Sequence, residues 1–218
     1  MNLLILTIDR WGWAFAEPLG NRWIRTPVLN RLATMGTVFG QCYATSSDPM
    51  ATWRSLMTGV HPLRMSTESD RSDVSADVVP PGNSLPGELL HRGWRCQLLT
   101  DSESLFRMSE PESWFDTIEP CEIPRPEIRC AETIEQTDLF RSFSCFHETL
   151  CALSDKDPIR PFLLAVHLES LGRTWDAPFR FRAGYVEGDD PEPSDSAMVP
   201  YRTITPDVDS DELLAVRQ

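Results

Sequence analysis

Three places in the 218-residue sequence set chemically capable side chains at the end of an expected strand. They are Asp9 after Leu3-Leu4-Ile5-Leu6-Thr7-Ile8, Thr100-Asp101 after the run from Trp94, and His167-Leu168-Glu169 after the run from Pro161. Carboxylate, hydroxyl and imidazole groups are the side chains of cation binding and proton transfer. In an open α/β sheet such groups gather at the carboxyl ends of strands, so these are the first places to look for a site. The cysteines at 42, 96, 121, 130, 145 and 151 are read otherwise. None forms C-x-x-C, and their spacing matches no zinc ribbon or finger. They are expected as reduced thiols, with Cys96 and Cys145 in the core. His167 lies within a strand pattern and reads as structural, while His91 and His147 fall on helices and His61 follows one.

The elements that must position these groups follow from patterning. Leu3 to Ile8 is a continuous apolar run, as in a buried parallel strand. Thr26 and Pro27 have the residue types of an N-cap and a first helical position, with Val28, Leu29, Leu32 and Ala33 as the apolar face and Gly36 as the stop. A strand is expected over Val38 to Tyr43, then a helix over Ala51 to Met57 closed by Gly59. Residues 64 to 83 read as a surface loop rich in Ser, Asp and Pro. Ser84 to Arg92 reads as a short helix with Leu85, Leu89 and Leu90 inward, and Trp94 to Thr100 as a strand. Pro111 to Arg129 reads as irregular. Ile134 to Leu153 is the best helix, its Leu139, Phe143, Phe146, Leu150 and Leu153 stepping by four and three. Pro161 to Leu168 is a further strand. Alternating strands and helices indicate an α/β fold with a mostly parallel sheet flanked by helices.

Thirty-three acidic residues against twenty basic ones give a formal charge of −13. That argues against a general nucleic-acid binder, which needs clustered Lys and Arg, and disfavours anionic membrane surfaces. The apolar run at the start is far shorter than the ~20 residues of a spanning helix and lacks the basic flank of a secretory signal. A cytoplasmic protein is expected. From Gly184 to Glu212, nine acidic residues meet a single Arg202. Residues 184–212 read as an acidic, proline-punctuated loop or tail, since the spacing of an EF-hand loop is absent. Residues 213–218 read as the start of a helix that the chain does not complete.

Four segments in order resemble the amino-terminal half of the sulfatase family, within the alkaline phosphatase superfamily. They are Asn2 to Asp9; Arg25-Thr26-Pro27-Val28-Leu29-Asn30-Arg31-Leu32-Ala33; Ser55-Leu56-Met57-Thr58-Gly59-Val60-His61-Pro62; and Pro161 to Leu168 with Trp175-Asp176-Ala177-Pro178. The second and third are the more specific in combination, and the whole covers residues 1–183 as part of one sulfatase-like domain. The resemblance implies hydrolysis of sulfate or phosphate esters, with a divalent ion (calcium, magnesium or manganese) polarising the ester oxygens. It implies a nucleophile that is formylglycine made from cysteine, or a Ser or Thr.

Position by position, the resemblance makes Asp9 the first metal ligand, with Arg10 where many sulfatases carry a second Asp. The nucleophile position, ten residues before Gly59, falls on Pro49, so no formylglycine is expected. Ser47, Asp48 and Thr52 lie nearby, and Thr52 is the substitute candidate; Arg54 is the candidate for the signature arginine that contacts substrate. Asp101 and Glu103 stand where relatives place cationic anion-binding groups. Ser170-Leu171-Gly172 replaces a D-x-H motif. Further metal ligands of the family would lie beyond Gln218, so an incomplete metal site is expected from this chain alone. The resulting expectation is a sulfatase-like domain that is catalytically impaired or inactive, a truncated protein or pseudoenzyme. An active hydrolase with a non-standard nucleophile is the alternative, and so is an interaction module that pairs with a protein partner or a second copy through an exposed sheet edge.

Overall fold

Strand β1, Leu3–Ile8, enters a four-stranded sheet of order β1-β4-β2-β3 with β2 (Arg95–Thr100), β3 (Thr117–Pro120) and β4 (Phe162–Leu168). The structure is a computed structural model that describes residues 1–63, 84–107, 113–122 and 128–199. The loop expected over 64–83, the later part of the acidic segment and the final helix lie outside the described residues. All three strand pairings are parallel, with Thr7 opposite His167 and His167 opposite Thr100. Parallel strands need crossovers, and helices supply them. These are α1 (Pro27–Met35), α2 (Pro49–Thr58), α3 (Leu85–His91), the short α4 (Glu103–Phe106), α5 (Asp138–Lys156), and the short α6 (Ser170–Arg173) and α7 (Phe179–Ala183). No helix among the described residues is long and apolar enough to cross a membrane.

The two-residue period of a strand sorts the core into two layers. Leu3 and Ile5 of β1, Cys96 and Leu98 of β2, and Leu163 and Ala165 of β4 pack with Trp53 and Met57 of α2 and with Leu89 and Leu90 of α3. Trp53 stacks on Trp114 with ring centroids 5.9 Å apart. The alternate residues, Leu99, Phe162, Leu164, Val166 and Leu168, pack against Leu139, Phe143, Phe146, Leu150 and Leu153 of α5. The four-and-three stepping read from the sequence is therefore the core face of α5.

Several expectations are corrected. Among the described residues β1 is an edge strand, and its α5-side residues Leu4 and Leu6 stay 45% and 40% exposed. The apolar face assigned to α1 is open: Val28 and Leu32 are exposed, and Thr26 bonds reciprocally with Glu17 in place of capping the helix. Val38 to Tyr43 forms no strand and is exposed, since no described strand lies beside it to complete a ladder. Leu85 lies at the surface, not inward. β3, within the stretch read as irregular, pairs with β2 from Gln97 to Thr100. In the acidic segment, Ala197 is fully buried, and the backbone of 195–197 bonds to Ile128, Cys130 and Trp175.

Candidate functional site

A cleft of about 320 Å³ opens where β1 and β4 end beside the start of α2. Thr7, Ile8, Asp9 and Arg10 from β1 and its exit, His167 from β4, and Ser46, Ser47, Thr52 and Trp53 from the α2 entry line it. The size suits a small ligand, and the place is the carboxyl end of a parallel sheet. Trp53 and Met57, buried in the core, hold α2 against the strands.

Asp9 follows β1 directly, and its backbone N–H still donates to the Leu168 carbonyl at 2.8 Å. Its carboxylate is 10% exposed, and Oδ2 accepts no hydrogen bond while facing Arg10 Nε at 3.4 Å. Arg10 has φ 58°, the one non-glycine among the described residues in the left-handed region. Its Nη1 donates to the Gly172 carbonyl in α6, just after β4, at 3.1 Å.

His167, read as structural, lines the cleft as well. Thr7 Oγ1 donates to the Val166 carbonyl at 3.1 Å and lies 3.0 Å from His167 Nδ1. A hydroxyl has one proton. With that proton on Val166, Nδ1 must be the donor, and Nε2 carries the lone pair. Nε2 is buried without a hydrogen-bond partner. Burial pushes the His167 pKa down, against the opposing pull of Asp9 and Glu169. The sequence signal for it was a single polar residue near the end of an otherwise apolar strand.

The start of α2 is closed by its own residues. Asp48 caps the helix by accepting from the Met50 N–H at 3.0 Å, and Pro49 has no N–H to offer. Thr52 Oγ1 donates to the Ser46 carbonyl at 3.0 Å. Asp9 and Thr52 are thus brought to one cleft. Arg54, half-buried on α2, is not among the residues that line it.

Asp101, just after β2, turns to the other face. Strand parity sends it with Gln97 and Leu99 to the α5 side, where Oδ2 accepts from Ser142 Oγ at 3.2 Å and Oδ1 from the Glu169 N–H at 2.6 Å. Burial raises its pKa, with those two bonds opposing. It is a brace for the loop after β4. Trp11 and Trp13 are exposed and do not line the cleft, and Trp23 meets Tyr185 edge to face. All six cysteines are free, and burial pushes the Cys96 thiol up to about 12.

A divalent ion finds no cage of side chains here. Among the described residues no group of three His, Cys, Asp or Glu side chains could hold one. At Asp9, Oδ2 already faces a guanidinium. The residues present do not fit the ion.

No protein-family model matches the chain, and no curated protein matches it. Solved structures do. The chain is similar to the C-terminal periplasmic domain of EptC from Escherichia coli, with TM-score 0.60, 14% identity, and coverage of 98% of this chain and 52% of that one. The zinc complex of that domain gives TM-score 0.57 and 14% identity over 98% and 53% of the two chains. An alkaline phosphatase superfamily protein from Vibrio parahaemolyticus gives 0.53 and 16% over 99% and 47%. The chain therefore has a sulfatase/alkaline-phosphatase-like fold, and it spans about half the length of these structures.

Proposed function

We propose that this sulfatase-like domain is catalytically silent towards the sulfate and phosphate esters that its fold class handles. The observation that carries the reading is the start of α2. Proline occupies the position where the resemblance puts the nucleophile, the Asp48 carboxylate occupies the helix N-terminus, and the Thr52 hydroxyl is committed to a backbone carbonyl. A carboxylate at the helix end also repels an incoming ester anion, which the bare N-terminus would attract. Calcium, magnesium and manganese have no role in this reading. The test is product release from aryl sulfate, phosphate and phosphonate esters, with each of these metals and with zinc. The expected result is no turnover above the metal-only blank. Turnover that Asp9→Ala abolishes would overturn it.

A second reading, an active hydrolase, has one observation in its favour: Thr52, Asp9 and His167 line one cleft. Thr52 Oγ1 would leave Ser46, attack the ester phosphorus or sulfur and pass its proton to Nε2 of His167, which hands it to the departing alkoxide; water, deprotonated by the same Nε2, would then cleave the Thr52 ester and restore the hydroxyl. Thr52→Val separates the two readings, because it would remove all turnover in the second and has none to remove in the first.

For partners, the reading assigns the open β1 edge, with Leu4 and Leu6 beside it, to a polypeptide that supplies further strands of the fold. Leu6→Glu is expected to abolish such pairing, read by light scattering on mixtures with the candidate chain. The free thiols suit a reducing, cytoplasmic compartment.

A further inference from the structure

We propose that Arg10 holds the place of a divalent cation beside Asp9. The cleft carries its own positive charge, strapped to Gly172, and takes up no metal ion at Asp9. The proposal goes beyond the reading of a silent site and does not depend on it, because it concerns which cation neutralises Asp9, whatever the cleft turns over.

Four observations carry it. The Asp9 carboxylate is nine-tenths buried, and Arg10 Nε stands 3.4 Å from Oδ2. A buried carboxylate needs a compensating charge, and a guanidinium supplies one that stays charged at every ordinary pH. The Arg10 backbone is held at φ 58°, a conformation that bulky residues rarely adopt and that persists only where its surroundings enforce it. The side chain is tethered at its far end, where Nη1 donates to the Gly172 carbonyl. Gly172 is its seat: a Cβ there would lie 3.1 Å from Arg10 Nε and 3.2 Å from Cδ and Cζ.

Two departures from the family pattern, far apart in sequence, are thus one arrangement. Arginine stands after Asp9, and glycine replaces the histidine of the D-x-H motif, where the arginine now lies. A divalent ion on Asp9 would sit within a few ångströms of this guanidinium. In a partly desolvated cleft that repulsion is strong, and Arg10 cannot relieve it by losing a proton.

The test is manganese titration of the ¹⁵N-labelled full chain, read as paramagnetic broadening of individual amides. Amides near Asp189 and Asp190 report non-specific binding to the acidic surface. In the native protein, Ile8 to Trp11 and His167 are expected to broaden no earlier than that reference. Arg10→Asn, which tolerates the left-handed backbone, is expected to broaden them at roughly tenfold lower manganese. Asp9→Asn in that background should cancel the gain. Arg10→Gly repeats the test with no backbone strain, should the asparagine variant fold poorly. Asp9-dependent broadening in the native protein would overturn the proposal, and so would folded Arg10 variants that gain none.

Discussion

The carboxyl end of the sheet carries buried polar residues on both faces, and the two faces treat them in opposite ways. On the α5 face the carboxylates are answered. Asp101 accepts from Ser142 and Glu169. Asp138 Oδ2 accepts from Thr174 Oγ1 at 2.8 Å and from Arg173 Nη2 at 3.2 Å. Asp176 Oδ2 takes the Asp138 N–H at 2.6 Å. On the α2 face, Asp9 Oδ2 and His167 Nε2 accept no hydrogen bond. A satisfied buried network rigidifies, while Asp9 is met only by the Arg10 charge and His167 Nε2 by nothing, which costs stability. The first face is scaffold, tying α5 to the loop after β4. The second is the site.

The largest effect that would break this contrast is on the scaffold face. Asp138→Ala leaves Arg173 without its carboxylate and Thr174 without its acceptor, and is expected to cost about 3 kcal/mol. In thermal unfolding that is a loss of roughly 6–12 °C. A shift under about 2 °C would mean the network is ornamental.

Gly172→Ala acts on the cleft face. The added methyl meets the Arg10 side chain, and the expected cost is about 1 kcal/mol, on the scale of overpacking a tight site. Arg10→Asn combined with Gly172→Ala should cost less than the sum of the two, because the arginine is what the methyl strikes. Strict additivity would separate Gly172 from Arg10.

The smallest effects are opposite slopes with pH. Burial depresses the His167 pKa in the folded chain, so as pH falls the unfolded chain takes up the proton first. Stability is full above the ordinary histidine range and declines as pH falls through it. His167→Gln should remove that share of the acid-side decline. Burial raises the Asp101 pKa, so the folded chain holds its proton to higher pH, and stability declines as pH rises through and above the ordinary carboxylate range. Asp101→Asn should remove that decline. Denaturant titrations across pH check both, and slopes of the same sign would break the contrast.

Much of the scaffold was legible in the residues alone. Continuous apolar runs mark β1 and β4, and the stepping from Leu139 to Leu153 marks the core face of α5. β3 was not legible, because four residues ending in proline gain their strand character only from β2 beside them. Val38 to Tyr43 has strand composition but no described neighbour to pair with, and context decides β-structure more than propensity does. In the site, Asp9 was visible as a polar stop after an apolar strand. Asp101 was misplaced beside the anion, although the alternation of Cys96 and Leu98 against Gln97 and Leu99 already separates the faces. The contact between Arg10 and Gly172 joins residues 162 positions apart, and no local pattern announces it.

The most direct measurement is a crystal soaked in manganese, with anomalous scattering recorded at the cleft. The account requires no anomalous peak at Asp9 and an intact contact between Asp9 Oδ2 and Arg10 Nε near 3.4 Å. A peak about 2.0–2.6 Å from an Asp9 oxygen, with the guanidinium swung away from Gly172, would contradict it.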